Sequence, residues 1–216
     1  MLKATGLRNV MSRQDWPIEV LRRVFAELQS EVPRSLLERE LWCASADSAE
    51  WWAKSRTYSR SLAVTSMIGY VLGLGDRHLD NMLIDMRSGE LLHIDYNVCF
   101  DKGARLRVPE LVPFRLTSTL RGALGISGVQ GPFQVACELS MEVMRQHREL
   151  LLTLLETFVY DPLVDWTKNE EDDKARAEIE LAVSLSLFAS RVDEMEGPLQ
   201  TNQVGVTTAR QIDASI

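Results

Sequence analysis

Residues 71–95 read VLGLGDRHLDNMLIDMRSGELLHID. The stretch begins with apolar residues and glycines at 71–75. A polar loop follows, and after it come two short, mostly apolar segments. The four residues between these segments, 87–90, have the composition of a turn, so the pattern predicts a β-hairpin with strands over 82–86 and 91–95. The stretch therefore predicts a polar loop and an acidic residue, Asp95, at the same end of a small sheet.

Three residues of this stretch carry oxygen atoms that suit phosphate chemistry. Asp76 and Asn81 have the D-x-x-x-x-N spacing of a kinase catalytic loop, and Asp95 stands where a second magnesium-binding carboxylate is needed. We expect Asp76 to orient an acceptor hydroxyl, and we expect Asn81 and Asp95 to bind the metal. The spacing alone also fits an unrelated loop whose Asp and Asn bond the local backbone.

Other polar residues near the loop have both functional and structural interpretations. His78 can share in proton handling or donate to a phosphate oxygen, and a structural loop histidine is the alternative. Arg77 can pair with a phosphate or an acid of the following segment, but we expect a structural salt bridge. His93 and His147 are expected to be satisfied core residues.

Helices are predicted on both sides of the hairpin. A helix with one apolar face is expected over 18–28 after Asp15, Trp16 and Pro17, a second follows Pro33, and a third runs to about residue 72, with a break allowed. Asp47 and Glu50 form a capping-box pattern at the start of the third helix. Trp51 and Trp52 are expected in the core rather than on a recognition surface.

The chain beyond Asp95 divides into three parts. Prolines make residues 96–115 an irregular loop, and apolar spacing predicts a helix over 133–159. A domain boundary is expected near Trp166, because the strongly charged run KNEEDDKARAEIE at 168–180 follows it. That run is expected to be a solvated helix face or linker, and residues 197–216 are expected to be disordered.

Composition sets the broad class. The chain has 216 residues, 45% hydrophobic and 25% charged, which fits a soluble globular protein. No apolar run approaches the roughly 20 residues that span a bilayer, and no signal peptide is evident, so an intracellular protein is expected. A net charge of −7 argues against broad binding to nucleic acid or anionic membrane. Three scattered cysteines, Cys43, Cys99 and Cys137, argue against disulfides and zinc, and are expected to be buried.

Three motifs occur in the order that one kinase family has. They are G-D-R-H-L-D-N at 75–81, H-I-D at 93–95 and V-P-F-R at 112–115. With them the chain resembles the phosphatidylinositol 3-kinase-related protein kinases. The resemblance implies an α+β, mainly helical fold: the C-terminal lobe of a PI3/PI4-kinase type catalytic domain over 1–166, with a small β-hairpin and a charged helical tail over 167–216.

The same resemblance assigns roles within the site. It implies a catalytic loop over 75–81 and an activation segment over 95–115. Asp76 and His78 would be catalytic, while Asn81 and Asp95 would bind the cofactors, which are ATP and Mg²⁺ or Mn²⁺.

Further details resemble the branch of the family that acts in nonsense-mediated mRNA decay. They are Asp95-Tyr96-Asn97 in place of Asp-Phe-Gly, ALGISGVQGPF at 123–133, FVYDPLVDW at 158–166 and SLSLFASRVDEME at 184–196. This implies phosphorylation of Ser or Thr followed by Gln, an RNA helicase as substrate, and regulatory subunits that bind the full-length parent. It also implies a cytoplasmic and nuclear location, with no direct binding to nucleic acid or membrane.

A complete kinase also needs a Gly-rich phosphate loop and a phosphate-gripping lysine on a strand. Only 75 residues precede Asp76, no Gly-rich turn occurs among them, and neither Lys3 nor Lys54 has an apolar strand setting. We therefore expect a fragment that is inactive alone, with the apolar surface that would face the other lobe exposed.

Two other functions remain open at this point. A phosphoinositide lipid kinase shares the catalytic loop, but its headgroup favours a denser basic cluster than Lys102, Arg105 and Arg107 provide. A non-catalytic interaction module is consistent with the missing lobe but not with the intact Asp76 and Asp95.

Overall fold

The computed structural model describes residues 18–106, 109–110, 112–159 and 174–193. Several predictions lie outside these residues. They concern the residues that precede the first helix, the boundary near Trp166, the first part of the charged run and the disordered C-terminus.

Three helices precede the polar loop, as predicted. They are α1 (Ile18–Glu31), α2 (Leu36–Cys43) and α3 (Ser48–Leu72). The apolar face of α1 is largely exposed, since none of its residues is buried. Helix α3 is continuous, so the break that the sequence allowed is absent.

A cap at each end fixes the length of α3. The Asp47 carboxylate accepts a hydrogen bond from the Glu50 backbone N–H at 2.8 Å. The Glu50 carboxylate reaches back to the N–H of Ala46, one residue earlier than in the usual capping box. At the other end Gly73 adopts the left-handed conformation, with φ 60°. Helix α3 therefore ends at a fixed residue, immediately before the polar loop.

The hairpin consists of β1 (Met82–Ile84) and β2 (Leu91–His93), which pair antiparallel with Met82 opposite His93. Both strands are shorter than predicted, so Asp95 lies just past the end of β2. One face of the hairpin packs on the core, whereas Leu83 and Leu92 on the other face are 51% and 55% exposed.

Four more helices complete the described fold: α4 (Ser118–Gly122), α5 (Pro132–Gln146), α6 (Arg148–Val159) and α7 (Lys174–Asp193). The single helix predicted over 133–159 is therefore two helices. Its break is His147, which has a non-helical backbone (φ −109°, ψ 23°). His147 is also exposed, so its predicted burial was wrong.

The core forms where α3 and α5 pack against each other. Tyr58, Leu62 and Met141 are almost fully buried there, and Phe188 and Val192 of α7 belong to the same hydrophobic cluster. Helix α7 is thus packed against the lobe rather than being only a solvated face. Among the described residues, no helix combines the length and apolar composition needed to cross a membrane.

The predictions for tryptophans and cysteines are partly confirmed. Trp51 packs against the core, with its ring 5.3 Å from that of Trp42, but Trp52 is 49% exposed. Cys99 and Cys137 are buried and Cys43 is exposed, and all three are free. Burial raises the pKa of the Cys137 thiol to about 12, so it is an inert core group.

We predict that Tyr58→Phe destabilises the fold. The Tyr58 hydroxyl donates to the Leu120 carbonyl at 2.9 Å, and the side chain is fully buried. Its removal leaves that carbonyl without this donor and lowers the free energy of unfolding by about 1–2 kcal/mol, measured by urea denaturation. The matched control, Tyr96→Phe at an exposed site, should change it by less than about 0.5 kcal/mol. Equal effects would contradict the assigned role of the hydroxyl.

Candidate active site

The predicted catalytic loop begins immediately after α3. Gly75 packs so closely on Gly103 that a Cβ at Gly75 would lie 2.8 Å from the Gly103 Cα. Asp76 follows with φ 57°, a conformation that costs a non-glycine residue on the order of 1 kcal/mol or more. Asp76 is therefore held by its surroundings rather than by its own backbone preference.

Two hydrogen bonds fix the backbone of Asp76. Its N–H donates to Glu110 Oε2 at 2.7 Å, and its carbonyl accepts from Asn81 Nδ2 at 2.9 Å. The carboxylate itself remains 43% exposed, so it is accessible to a molecule from solvent. The residue has the accessible acid and rigid backbone that a group orienting a hydroxyl requires.

Asn81 connects the loop to the hairpin. The residue is buried, and its backbone carbonyl accepts from the Ile94 N–H at 3.0 Å. Because the side-chain nitrogen bonds to Asp76, the amide oxygen is the end of the group that can serve a cation. Asn81 thus has the orientation expected of a metal ligand.

Arg77 joins the two segments that carry the predicted ligands. Its buried guanidinium donates to the carbonyls of Gly75, Ile94 and Asp95, the first two at 2.8 Å. It also lies 5.9 Å from the centre of the Tyr96 ring. The structural salt bridge predicted for Arg77 was wrong: the guanidinium has a structural role, but the partners found for it are backbone carbonyls.

Asp95 is exposed and also has a positive φ, 59°. Its Oδ1 accepts from the Asn97 N–H at 3.2 Å, a local bond that orients the carboxylate. Asp95 and Asn81 are brought to neighbouring positions because Asn81 bonds Ile94, the residue before Asp95.

His78 lies between two carboxylates. Its Nε2 is 3.9 Å from Asp76 Oδ2, and its Nδ1 is 3.7 Å from Asp80 Oδ2. Half of the His78 side chain is exposed, which leaves the ring accessible beside Asp76. His78 is therefore a neighbour of the predicted base, at a distance longer than a hydrogen bond.

His93 is buried beneath the same segment, but it is not the satisfied core residue that the sequence predicted. Within the described part of the chain, neither ring nitrogen has a hydrogen-bond partner. Burial, together with the nearby charge of Arg77, lowers the pKa of His93 to about 4. The ring is therefore neutral at pH 7.

The donor set fits magnesium bound together with a nucleotide. Mg²⁺ takes hard oxygen ligands and is usually held by one or two carboxylates plus substrate phosphates. Asp95 and Asn81 supply one carboxylate and one amide oxygen. The site therefore suits a metal that arrives with phosphate.

Lys54 and Glu110 differ in how well the sequence predicts their roles. The sequence predicts that Lys54 does not bind phosphate. In the structure Lys54 is buried, donates to the Ala44 carbonyl and pairs with Glu50 at 2.9 Å. Glu110 was missed as a support for Asp76. Its only sequence signal is its place just before the V-P-F-R motif, since a separation of 34 positions hides the contact.

Comparison with known proteins identifies the family. The family model described as phosphatidylinositol 3- and 4-kinase matches residues 3–168. The chain belongs to this family. A serine/threonine-protein kinase SMG1 from Danio rerio is 52% identical over 211 residues, and a kinase Smg1 from Drosophila melanogaster is 58% identical over 164. These alignments cover 90% and 76% of the chain.

This chain spans only 6% of the length of the Danio rerio relative and 5% of the length of the Drosophila melanogaster relative. Among solved structures, the FAT and kinase domain of CtTel1 superposes with a TM-score of 0.69 at 32% identity, covering 82% of this chain and 12% of that one. The family resemblance and the mainly helical α+β kinase fold are thus confirmed. The roles of individual site residues and the domain boundary stay predictions.

We predict that Arg77→Lys weakens the folded state of this kinase lobe. Lysine presents a single nitrogen and cannot reach three carbonyls at once. We expect the free energy of unfolding to fall by about 3 kcal/mol, measured from denaturant unfolding. Arg87→Lys is the control, because Arg87 is almost fully exposed, and its effect should stay below about 0.5 kcal/mol. Indistinguishable variants would show that the fork of Arg77 does not hold the site.

Proposed function

We propose that the chain is the catalytic lobe of an ATP-dependent serine/threonine protein kinase. One observation carries the proposal: a continuous hydrogen-bond network joins Asp76, Asn81 and the Asp95 segment through Arg77 and Ile94. Asn81 bonds the nearby Asp76 carbonyl, as it could in a chance D-x-x-x-x-N loop. The loop is in addition tied to the segment of Asp95, by Arg77 and by the bond from Ile94 to Asn81, and a chance loop would not need that link.

Asp76 is the group that receives the acceptor. Its accessible carboxylate orients a serine or threonine hydroxyl and takes up its proton as the oxygen attacks the γ-phosphorus of ATP, while the bond to the bridging oxygen breaks and ADP leaves. The bonds from Glu110 and Asn81 hold the Asp76 backbone while the side chain remains reachable. Fixing the base in this way reduces the entropy that must be lost on reaching the transition state.

His78 acts beside Asp76. Its exposed ring can donate to a phosphate oxygen. Its Nε2 lies 3.9 Å from Asp76 Oδ2, so proton exchange with that carboxylate would need a bridging water or a small movement of the side chain. Charge that develops on the transferred group is then met by a donor already in place.

Asn81 and Asp95 would hold Mg²⁺ or Mn²⁺ through the amide oxygen and the carboxylate. When bound to ATP, the metal neutralises negative charge on the phosphates. The Asp-Tyr-Asn sequence that replaces Asp-Phe-Gly keeps this carboxylate, so the substitution is compatible with activity. The bond from Asn97 to Asp95 orients it.

The substrate and cellular role follow from the branch resemblance. We propose phosphorylation of Ser or Thr followed by Gln, with an RNA helicase of nonsense-mediated mRNA decay as substrate, and regulatory subunits that bind the complete protein. A cytoplasmic and nuclear location is part of the same proposal. Support comes from the relatives, which are named serine/threonine-protein kinases.

Activity is proposed to require a second lobe. The exposed apolar pair Leu83 and Leu92 lies on the outer face of the hairpin, whose ends carry Asn81 and Asp95. A nucleotide base and the phosphate-gripping elements of another lobe would cover such a face. The 216-residue chain is therefore expected to bind nucleotide weakly and to be inactive by itself.

We predict that Mg²⁺-ATP raises the melting temperature of the chain and that ATP with EDTA does not. A ligand that binds only the folded state raises the free energy of unfolding by RT ln(1 + [L]/Kd), where [L] is the ligand concentration. Asp95→Ala should lose the shift, because it removes the metal-binding carboxylate, whereas Asp80→Ala, an exposed acid of the same loop, should keep it. A shift that survives in Asp95→Ala would refute the metal assignment.

We predict that the complete polypeptide encoded by the gene phosphorylates a Ser-Gln peptide and not phosphatidylinositol vesicles. Asp76→Asn should lower kcat by about 100-fold or more, since it removes the base, and Asp80→Asn should leave kcat within about two-fold. A Ser-Ala peptide serves as the control for the residue after serine. Transfer of phosphate to the lipid instead would favour the lipid-kinase alternative.

A further inference from the structure

Arg191 of α7 reaches the base of the predicted activation segment. Its Nη2 lies 2.8 Å from both carboxylate oxygens of Asp101, and its Nη1 donates to the Tyr70 carbonyl at 3.0 Å. The guanidinium also sits 5.4 Å from the centre of the Tyr70 ring. Phe188 and Val192, both buried in the core, anchor the helix on either side of Arg191.

Asp101 belongs to a segment that runs beside the end of α3. Its N–H donates to the Gly73 carbonyl at 3.0 Å, and the preceding residue, Phe100, donates to Leu72 at 2.9 Å. Phe100 and Asp101 have φ values of 59° and 58°, which are unfavourable for non-glycine residues. This pair of residues requires support from outside the segment. The end of α3 supports both residues through their N–H groups, and Arg191 supports Asp101 through its carboxylate.

The junction is packed too closely to move freely. A Cβ at Gly73 would lie 2.7 Å from the Asp101 backbone nitrogen and 3.0 Å from Arg191 Nη1. Gly73 also has a positive φ, so glycine is required there on both counts. Arg191, Tyr70 and Asp101 line a cavity of about 330 Å³ that extends to Gly75, directly before Asp76.

A chain of contacts leads from Arg191 to Asp76. Gly103, two residues after Asp101, accepts a hydrogen bond from the Glu110 N–H at 3.1 Å. Glu110 in turn accepts from the Asp76 N–H at 2.7 Å. Gly75 donates to Val98 at 2.8 Å, so the loop that carries Asp76 is held against this segment at two points.

We propose that Arg191 is a positioning residue for phosphoryl transfer. It ties the tail helix to Asp101 and so holds the start of the activation segment, and through it Glu110, in the place that fixes Asp76. The inference rests on the proposed kinase function. On this view the helix after the catalytic lobe is part of the machinery that sets the rate.

The first test separates rate from binding. In the complete polypeptide, Arg191→Gln should lower kcat toward a Ser-Gln peptide by about 10-fold or more, with the KM for ATP within about two-fold. Arg191→Lys keeps the charge, so its kcat should lie between those of Arg191→Gln and the wild type. The double variant Arg191→Asp with Asp101→Arg should have a higher kcat than Arg191→Asp or Asp101→Arg alone. Arg87→Gln, an exposed arginine paired with Asp85, is the matched control and should have no effect.

The second test does not depend on kinase activity. In the 216-residue chain, hydrogen exchange should accelerate in Arg191→Gln at residues 98–104 and at the Asp76 amide, while amides of α5 keep their wild-type rates. If the wild-type protein phosphorylates nothing and this local change is still seen, the proposed function fails and the structural link stands. Unchanged kcat in an active enzyme, uniform acceleration throughout the chain, or no acceleration would each overturn the proposal.

Discussion

The arrangement of the site depends on one buried cation. Arg77 donates to three carbonyls, one from the catalytic loop and two from the end of the hairpin, so it reinforces the pairing that already brings these two segments together. A guanidinium suits this position because its planar fork carries several donors in fixed directions. The three carbonyls gain a hydrogen-bond donor in turn. Their hydrogen bonds offset part of the cost of burying the charge of Arg77.

The same region holds the unfavourable backbone conformations. Asp76, Asp95, Phe100 and Asp101 are the four non-glycine residues with positive φ in the described part of the chain. Each lies in the catalytic loop or in the segment that faces it, and such strain persists only where surrounding contacts dictate it. Nearby, His93 is buried with its ring unpaired and its pKa lowered to about 4. These features lower the free energy of unfolding, and the packing of α3 against α5 offsets that loss.

Contacts between distant segments complete the site. Glu110 bonds Asp76 across 34 residues, and Arg191 bonds Asp101 across 90. Helix α7 begins within the charged run that was predicted to be a tail, yet it contributes Phe188 and Val192 to the common core. Neither contact has a local signal, because hydrophobic period and spacing report on neighbours along one element. The predicted and observed helix ends differ for a related reason: His147 interrupts α5 and α6 without a proline or glycine to mark the break.

By itself the sequence determined the three helices before the loop, the hairpin, the cap at Asp47 and the candidate residues Asp76, His78, Asn81 and Asp95, because each depends on residues close together in the chain. Motif order was enough to name the family. Tertiary structure alone decided that Arg77 binds carbonyls, that His93 is unpaired, that Trp52 and His147 are exposed, and that Glu110 and Arg191 support the site. These outcomes depend on which distant segments pack together in the folded chain. Local sequence patterns do not reveal such contacts, because they report only on residues that are close together in the sequence.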